Sequence, residues 1–187
     1  QFLYSKQSFD PDKDLIPLSQ TATLGNLLCV RKDLPVNSVA DLIAYAKANP
    51  GKLSFGSTGL GTTGHLLGEQ LKLAANIDMV HVPYTSGQVF TDLLSGVIQV
   101  VFYPFSSLKA HVDAGSVRPL AFTGASRLTS LPEIPTVTEL GFPQMSLTAW
   151  SALYAPKGLP PKMVDELSSA LKFAIESQEF QSKFAGD

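Results

Sequence analysis

Apolar runs alternate with amphipathic stretches through the middle of this chain, and that alternation constrains the fold more than any single motif. "TATLGNLLCVRKDLP" opens it as one extended apolar segment closed by Pro35. Val39, Leu42, Ile43 and Ala46 then recur at the i, i+3, i+4, i+7 spacing of a helix, with Asn37 or Ser38 as N-cap and "NPG" as the stop. "KLSF" reads as a strand. Behind "GSTGLGTTGH", Leu67, Leu71, Ala74 and Ala75 share a helical face, and "MVHVPY" is the next strand. Phe90, Leu93, Leu94 and Val97 again fall at helical spacing. "IQVVFY" is a nearly continuous apolar run, "SSLKAHVDAG" a short helix and "VRPLAFTG" a further strand.

This regular βα alternation, with continuous apolar strands and long crossovers, predicts an α/β fold in which a largely parallel sheet carries helices on both faces. Beyond it, "TVTEL" holds a capping box from Thr136 to Glu139, "SLTAWSALYAPKG" is another extended run, and residues 161–178 form a long helix with Val164, Leu167, Leu171 and Ala174 on one face. The runs 15–31 and 147–155 flank the βα core, and no strand follows the last helix. Two strands leaving one lobe for another predict a hinge. Residues 21–146 are therefore expected to be a complete lobe, 1–20 a remnant of another lobe leading into the hinge, and 147–187 a hinge strand and C-terminal helix of that other lobe. The chain begins at Gln1 rather than Met, which reads as a processed or truncated piece whose targeting segment is not visible.

Composition narrows the function classes. With 187 residues, 44% of them hydrophobic and 16% charged, the chain can bury a real core. Fourteen basic against sixteen acidic residues leave a net charge of −2, which provides no electrostatic footprint for nucleic acid. No apolar run approaches the roughly 18 residues of a membrane span, so no direct membrane insertion is expected. Cys29 is alone, in "NLLCV", and reads as a small buried hydrophobe.

In an open parallel sheet, ligands sit at the carboxyl ends of the strands. Those positions hold Ser57, Thr58, Gly59, Gly61, Thr62, Thr63 and His65, then Tyr84, Thr85 and Ser86, then Tyr103, then Thr123 and Gly124. The set is rich in hydroxyls and nearly free of carboxylates and lysines. Gly59, Gly61 and Gly64 spell the G-x-G-x-x-G of a dinucleotide site, but that site needs an acidic residue at the end of the following strand. Here the strand ends in Val82, Pro83, Tyr84 and Thr85, and Asp78 precedes it. No Lys-Ser or Lys-Thr pair follows the glycines, and no G-x-S-x-G occurs.

His65, His81 and His111 have no metal-ligand spacing, so neither metal nor cofactor is expected. His111 reads as a helix-surface residue and His81 as a strand residue that merely alternates. For His65, behind the glycine loop, a ligand contact and a structural hydrogen bond to the loop are both open. The pattern that remains is an anion cradle without a catalyst. Glycines permit close approach, and helix-start amides and hydroxyls act as donors. A carboxylate and a phosphate suit it equally, and a tight turn without ligand would use the same glycines.

"FDPDKDLIPLS", "ADLIAYAKANPGKLSFGSTGLGTTGHLLGE", "VHVPY", "DLLSGVIQVVF", "VRPLAFTGASRLTSLPEIPTVTELGFP" and "AWSALYAPKGLP" occur here in that order. Together they resemble the periplasmic substrate-binding proteins of tripartite tricarboxylate transporters, the TctC-like or Bug family, over essentially the whole chain. The resemblance implies a lobe of the periplasmic-binding-protein type, in a two-lobed protein that closes on a small carboxylate through backbone amides and ordered water. It implies that Ser57, Thr58, Gly59, Gly61, Thr62, Thr63 and His65 form the second lobe's binding motif; Tyr84 and Tyr103 are expected at the ligand from their places at strand ends. Trp150 matches the family's hinge-strand Trp, either near the ligand or packing the hinge.

Departures are also visible. Many members have Ser at Gly64, Asp in the region of Tyr103 and Pro104, and Lys-Gly in place of Thr85-Ser86; the family's N-terminal third has no counterpart here. The function implied is capture of a di- or tricarboxylate, an amino acid or an aromatic acid, and its delivery to membrane transport subunits. A ligand-sensing module of a signalling system is the alternative from another class. A nucleotide- or phosphate-using enzyme would need a general base that the strand ends do not provide.

Overall fold

The computed structural model describes residues 8–184. They fall into two compact units, one of residues 24–149 and one made of the segments on either side, up to Thr23 and from Trp150 onward.

The larger unit is an α/β layer structure. Its strands are β2 (Asn26–Arg31), β3 (Leu53–Ser57), β4 (Met79–Pro83), β5 (Val100–Pro104) and β6 (Val117–Phe122), following β1 (Leu15–Leu24) in the chain. Its helices are α2 (Val39–Ala48), α3 (Thr63–Ala75), α4 (Gln88–Ser95) and α5 (Phe105–Asp113), after the short α1 (Pro11–Asp14). The strands lie in the order β4-β3-β5-β2-β6. β3 runs parallel to β4 and β5, whereas β2 is antiparallel to both β5 and β6. Four strands thus run one way and β2 the other, so the sheet is largely parallel, as expected, with one reversed strand.

The extended run 15–31 is also two strands rather than one. They part at Gly25, where a Cβ would run into the Phe122 ring.

Alternation along the strands sorts side chains to two cores. Leu28, Val30, Phe55, Val100 and Phe102 face α2 and α3, whose Val39, Leu42, Ala46, Leu67 and Leu71 cover them. Leu27, Cys29, Val101 and Tyr103 face α4 and α5, which contribute Val89, Leu93, Phe105 and Leu108. The two-sided cover follows from a strand period of two meeting a helix period of 3.6. Leu94 and Val97 are exposed, however, and α4 buries Val89 with Leu93 instead. Cys29 is fully buried, and desolvation pushes its thiol pKa well up.

The capping-box bonds form: Glu139 N donates to Thr136 Oγ1 at 3.2 Å, and Thr136 N donates to Glu139 Oε2 at 2.7 Å. They close a turn rather than a helix.

In the smaller unit, β1 pairs with β7 (Ala149–Pro156) in a two-stranded sheet. The Thr21 hydroxyl donates to the Ser151 carbonyl at 3.1 Å, and Lys157 N donates to the Asp14 carbonyl at 2.8 Å. α6 (Pro161–Glu176) ends at Ser177, whose extended backbone separates it from α7 (Gln178–Phe184). The expected helix therefore stops two residues early. α6 buries no residue: Val164 and Leu171 are half-buried, while Leu167 and Ala174 are exposed.

Candidate functional site

The β3–α3 turn is built around one buried hydroxyl. Ser57 closes β3 and is fully buried; its Oγ accepts from Gly59 N at 3.2 Å and lies 3.1 Å from the Gly59 carbonyl and 2.7 Å from His81 Nε2. Gly59 and Gly61 have φ of 129° and 74°, a region where a Cβ is disfavoured. The Thr62 hydroxyl donates to the Gly59 carbonyl at 2.7 Å, and Gly61 N donates to His65 Nδ1 at 3.0 Å. The loop is thus tied down by its own side chains. Of the two roles open to His65, the structural bond to the loop is formed. The amides of Gly59 and Gly61 are engaged internally.

The donors that remain belong to the start of α3. Thr63, Gly64 and His65 are its first three residues, and their amides precede the first i−4 carbonyl of the helix. Thr62 is the N-cap, yet its side chain makes no capping bond, because the hydroxyl is turned to Gly59. A 13-residue helix therefore presents its positive end without a side-chain acceptor. Thr58 is exposed at the mouth of the same turn. Gly64 and Gly68 serve packing: a Cβ on the first would strike the Phe102 carbonyl, and one on the second the Phe55 ring. The third glycine of the motif thus brings α3 close to the sheet, as does Gly68 one turn later.

Asn26 joins this end of the sheet. It is 1% exposed; its Nδ2 donates to Thr63 Oγ1 at 3.1 Å, and its Oδ1 is buried without a hydrogen-bond partner among the described residues. Its backbone N donates to the Thr123 hydroxyl oxygen at 2.9 Å, and that hydroxyl donates to the Leu147 carbonyl at 2.9 Å. Because β2 is antiparallel, its first residue lies where its neighbours end. A rule that looks only after strands passes over it, and the visible signal was a lone Asn opening an apolar run.

His81 was also passed over. It lies beside Phe55 in the β3–β4 register, and its ring stacks on His65 with centroids 4.1 Å apart. Burial first, and then the His65 ring, lower its pKa from the usual histidine range. A histidine alternating in a strand carries no sequence signal for either contact.

The remaining predicted residues are placed elsewhere. Tyr84 N donates to the Ser57 carbonyl at 3.0 Å, but its side chain turns to α4, where the hydroxyl donates to Asp92 Oδ2 at 2.8 Å. Burial and that carboxylate push the phenol up to about 12. Tyr103 packs edge-on against Phe90 at 5.1 Å in the same core, opposite α3. Both rings are anchored in the core on the α4 side of the sheet, the Tyr84 ring beside Gly56. Trp150 belongs to the smaller unit, is 59% exposed and lines a cavity of about 310 Å³ with Pro17, Leu18, Ala152 and Tyr154. Among the described residues, no cluster of His, Cys, Asp and Glu could hold a metal ion, and no helix is long and apolar enough to cross a membrane.

Comparison with known proteins gives this geometry a context. Residues 1–186 match the model of the tripartite tricarboxylate transporter family receptor, TctC. Protein BugT of Bordetella pertussis is 35% identical over 176 residues, which are 92% of this chain and 53% of that protein. The UPF0065 protein in the tcbD-tcbE intergenic region of Pseudomonas sp. strain P51 is 35% identical over 96% of the chain and 54% of its own length. The chain spans about half the length of these relatives.

Among solved structures, R. palustris Rpa4515 with adipate superposes with a TM-score of 0.88 at 35% identity, covering 96% of this chain and 60% of that one. MatC from Rhodopseudomonas palustris with bound malate shares the fold, with a TM-score of 0.85 at 24% identity over 97% of this chain and 62% of its own. The matched family and these relatives cover almost every residue of the sequence, and the chain belongs to the tripartite tricarboxylate transporter receptor family.

Proposed function

We propose that this chain is a periplasmic solute-binding component that captures a small carboxylate and delivers it to the membrane subunits of a tripartite transporter. The observation that carries the reading is the open N-terminus of α3. Three helix-start amides lie at a positive helix end whose own N-cap side chain is turned away, and the Thr63 hydroxyl at that end is held by Asn26. An anion is the missing acceptor, and a carboxylate oxygen fits amide donors at such a terminus. Ser57, Gly59, Gly61, Thr62 and His65 shape the loop that brings those donors together; Tyr84 contributes through its backbone. Residues 21–146 serve as the lobe that carries this motif. The adipate seen with the R. palustris relative supports a dicarboxylate as the first ligand to try.

Calorimetry with adipate and with the uncharged diol of the same chain length tests the proposal. Saturable heat with adipate and none with the diol is the expected result. Equal behaviour of the two would overturn the carboxylate reading.

A further inference from the structure

We propose that His65, stacked on His81, is a positioning residue that makes the glycine loop sensitive to protons, so that the cradle is formed when His65 is neutral and loosens when His65 takes up a proton. This rests on the carboxylate reading only for its consequence in binding; the loop itself can be tested without ligand.

The geometry is specific about where a proton would matter. His65 accepts the Gly61 amide at Nδ1, which requires that nitrogen to keep its lone pair. Protonation turns the acceptor into a donor and sets two N–H groups against each other. The His81 contact differs. Ser57 Oγ can accept from a protonated Nε2 as well as donate to a neutral one, so charging His81 leaves that bond possible. The sensitive joint is therefore His65 with Gly61. The two rings are stacked 4.1 Å apart with planes 26° from parallel, so two positive charges cannot share the site comfortably.

Charged groups around the pair are few. Glu69 and Lys72 on α3 both act on His81, in opposite senses, and are bound to each other at 3.0 Å. β3 presents Ser57 and Phe55, and neither β5 nor the short turn Pro143–Met145 that packs on α3 carries a charged residue. Burial keeps His81 neutral further into acid than an ordinary histidine. The loop joint is thus governed by the imidazole whose lone pair it uses, that of His65.

The experiment is a pH titration of the ligand-free chain by NMR, between about pH 7.5 and 5.5 where imidazoles titrate, following the imidazole carbons and the Gly59 and Gly61 amides. The Gly61 amide is expected to shift with the same midpoint as His65, with its hydrogen-exchange protection, corrected for intrinsic rate, falling by about 10-fold or more. Imidazoles that titrate while Gly61 stays still, or that remain neutral throughout, would overturn the proposal. In His65→Gln the side-chain carbonyl can accept the same amide without titrating, so Gly61 should become insensitive to pH. Should that variant fail to fold, the wild-type titration still decides.

Adipate affinity across the same range, compared between wild type and His65→Gln to cancel the acid's own titration, is expected to fall about 5-fold more steeply in the wild type. Absence of adipate binding at any pH would count against the carboxylate reading while leaving the loop titration to judge this one.

Discussion

At the level of single residues, the site depends on which acceptor occupies the start of α3. Thr62 turns its hydroxyl to Gly59 and leaves that place open. Thr62→Asp would supply an internal carboxylate, and N-cap carboxylates stabilise helices by roughly 0.5–2 kcal/mol. The variant should melt at a higher temperature and lose adipate binding; unchanged binding alongside raised stability would place the ligand elsewhere. A second residue-level effect concerns Glu139. The Arg127 guanidinium, and then the Thr136 amide, hold its carboxyl at about 2. Because the folded value lies below the ordinary carboxylate value, the contribution is complete above that value and is lost as pH falls through about 2. Carbon NMR of Arg127→Ala should show the Glu139 midpoint moving up toward the ordinary range; a midpoint that stays near about 2 would assign the effect to the turn alone.

At the level of elements, α3 sits close to the sheet because two glycines, one turn apart, face it. Gly68→Ala forces the Phe55 ring aside, and overpacking of this kind costs about 1–3 kcal/mol. Urea unfolding should show the lower midpoint at unchanged slope, and an unaltered midpoint would contradict the packing argument. The same elements show what could be read from sequence. Alternation and helical spacing located the five strands and four helices of the larger unit, since buried strands and amphipathic helices each impose their own period. The direction of β2 was not legible, because an apolar run carries no arrow; its reversal brought Asn26 into the site unannounced. The tight strand-to-helix glycine turn was legible, but not which of its amides were engaged, since a hydrogen bond from Gly61 to His65 depends on loop conformation rather than residue type. Tyr84 follows β4 as expected, whereas Tyr103 lies within β5 rather than after it. Their rings point to the α4 core because chain position sets a residue's place and the pleat sets its face.

At the level of the whole molecule, the chain covers 60% of the adipate-bound relative, and the magnitudes indicate what that implies for binding. Two charge-assisted hydrogen bonds at roughly 1.5–3 kcal/mol each, with up to about 1 from the helix end, total about 4–7 kcal/mol before ordering costs. A micromolar site needs about 8 kcal/mol. The 187-residue chain alone should therefore bind adipate near the millimolar range, more weakly than the longer R. palustris relative measured in the same calorimeter. Micromolar binding by this chain would mean that donors beyond the α3 start contribute.

The most direct test of the central claim is amide NMR of this chain titrated with adipate. Saturable shifts concentrated at Thr58 and at Thr63, Gly64 and His65, with the internally bonded Gly59 and Gly61 amides moving less, are what the open helix terminus predicts. Shifts centred away from the β3–α3 turn, or none at saturating adipate, would contradict it.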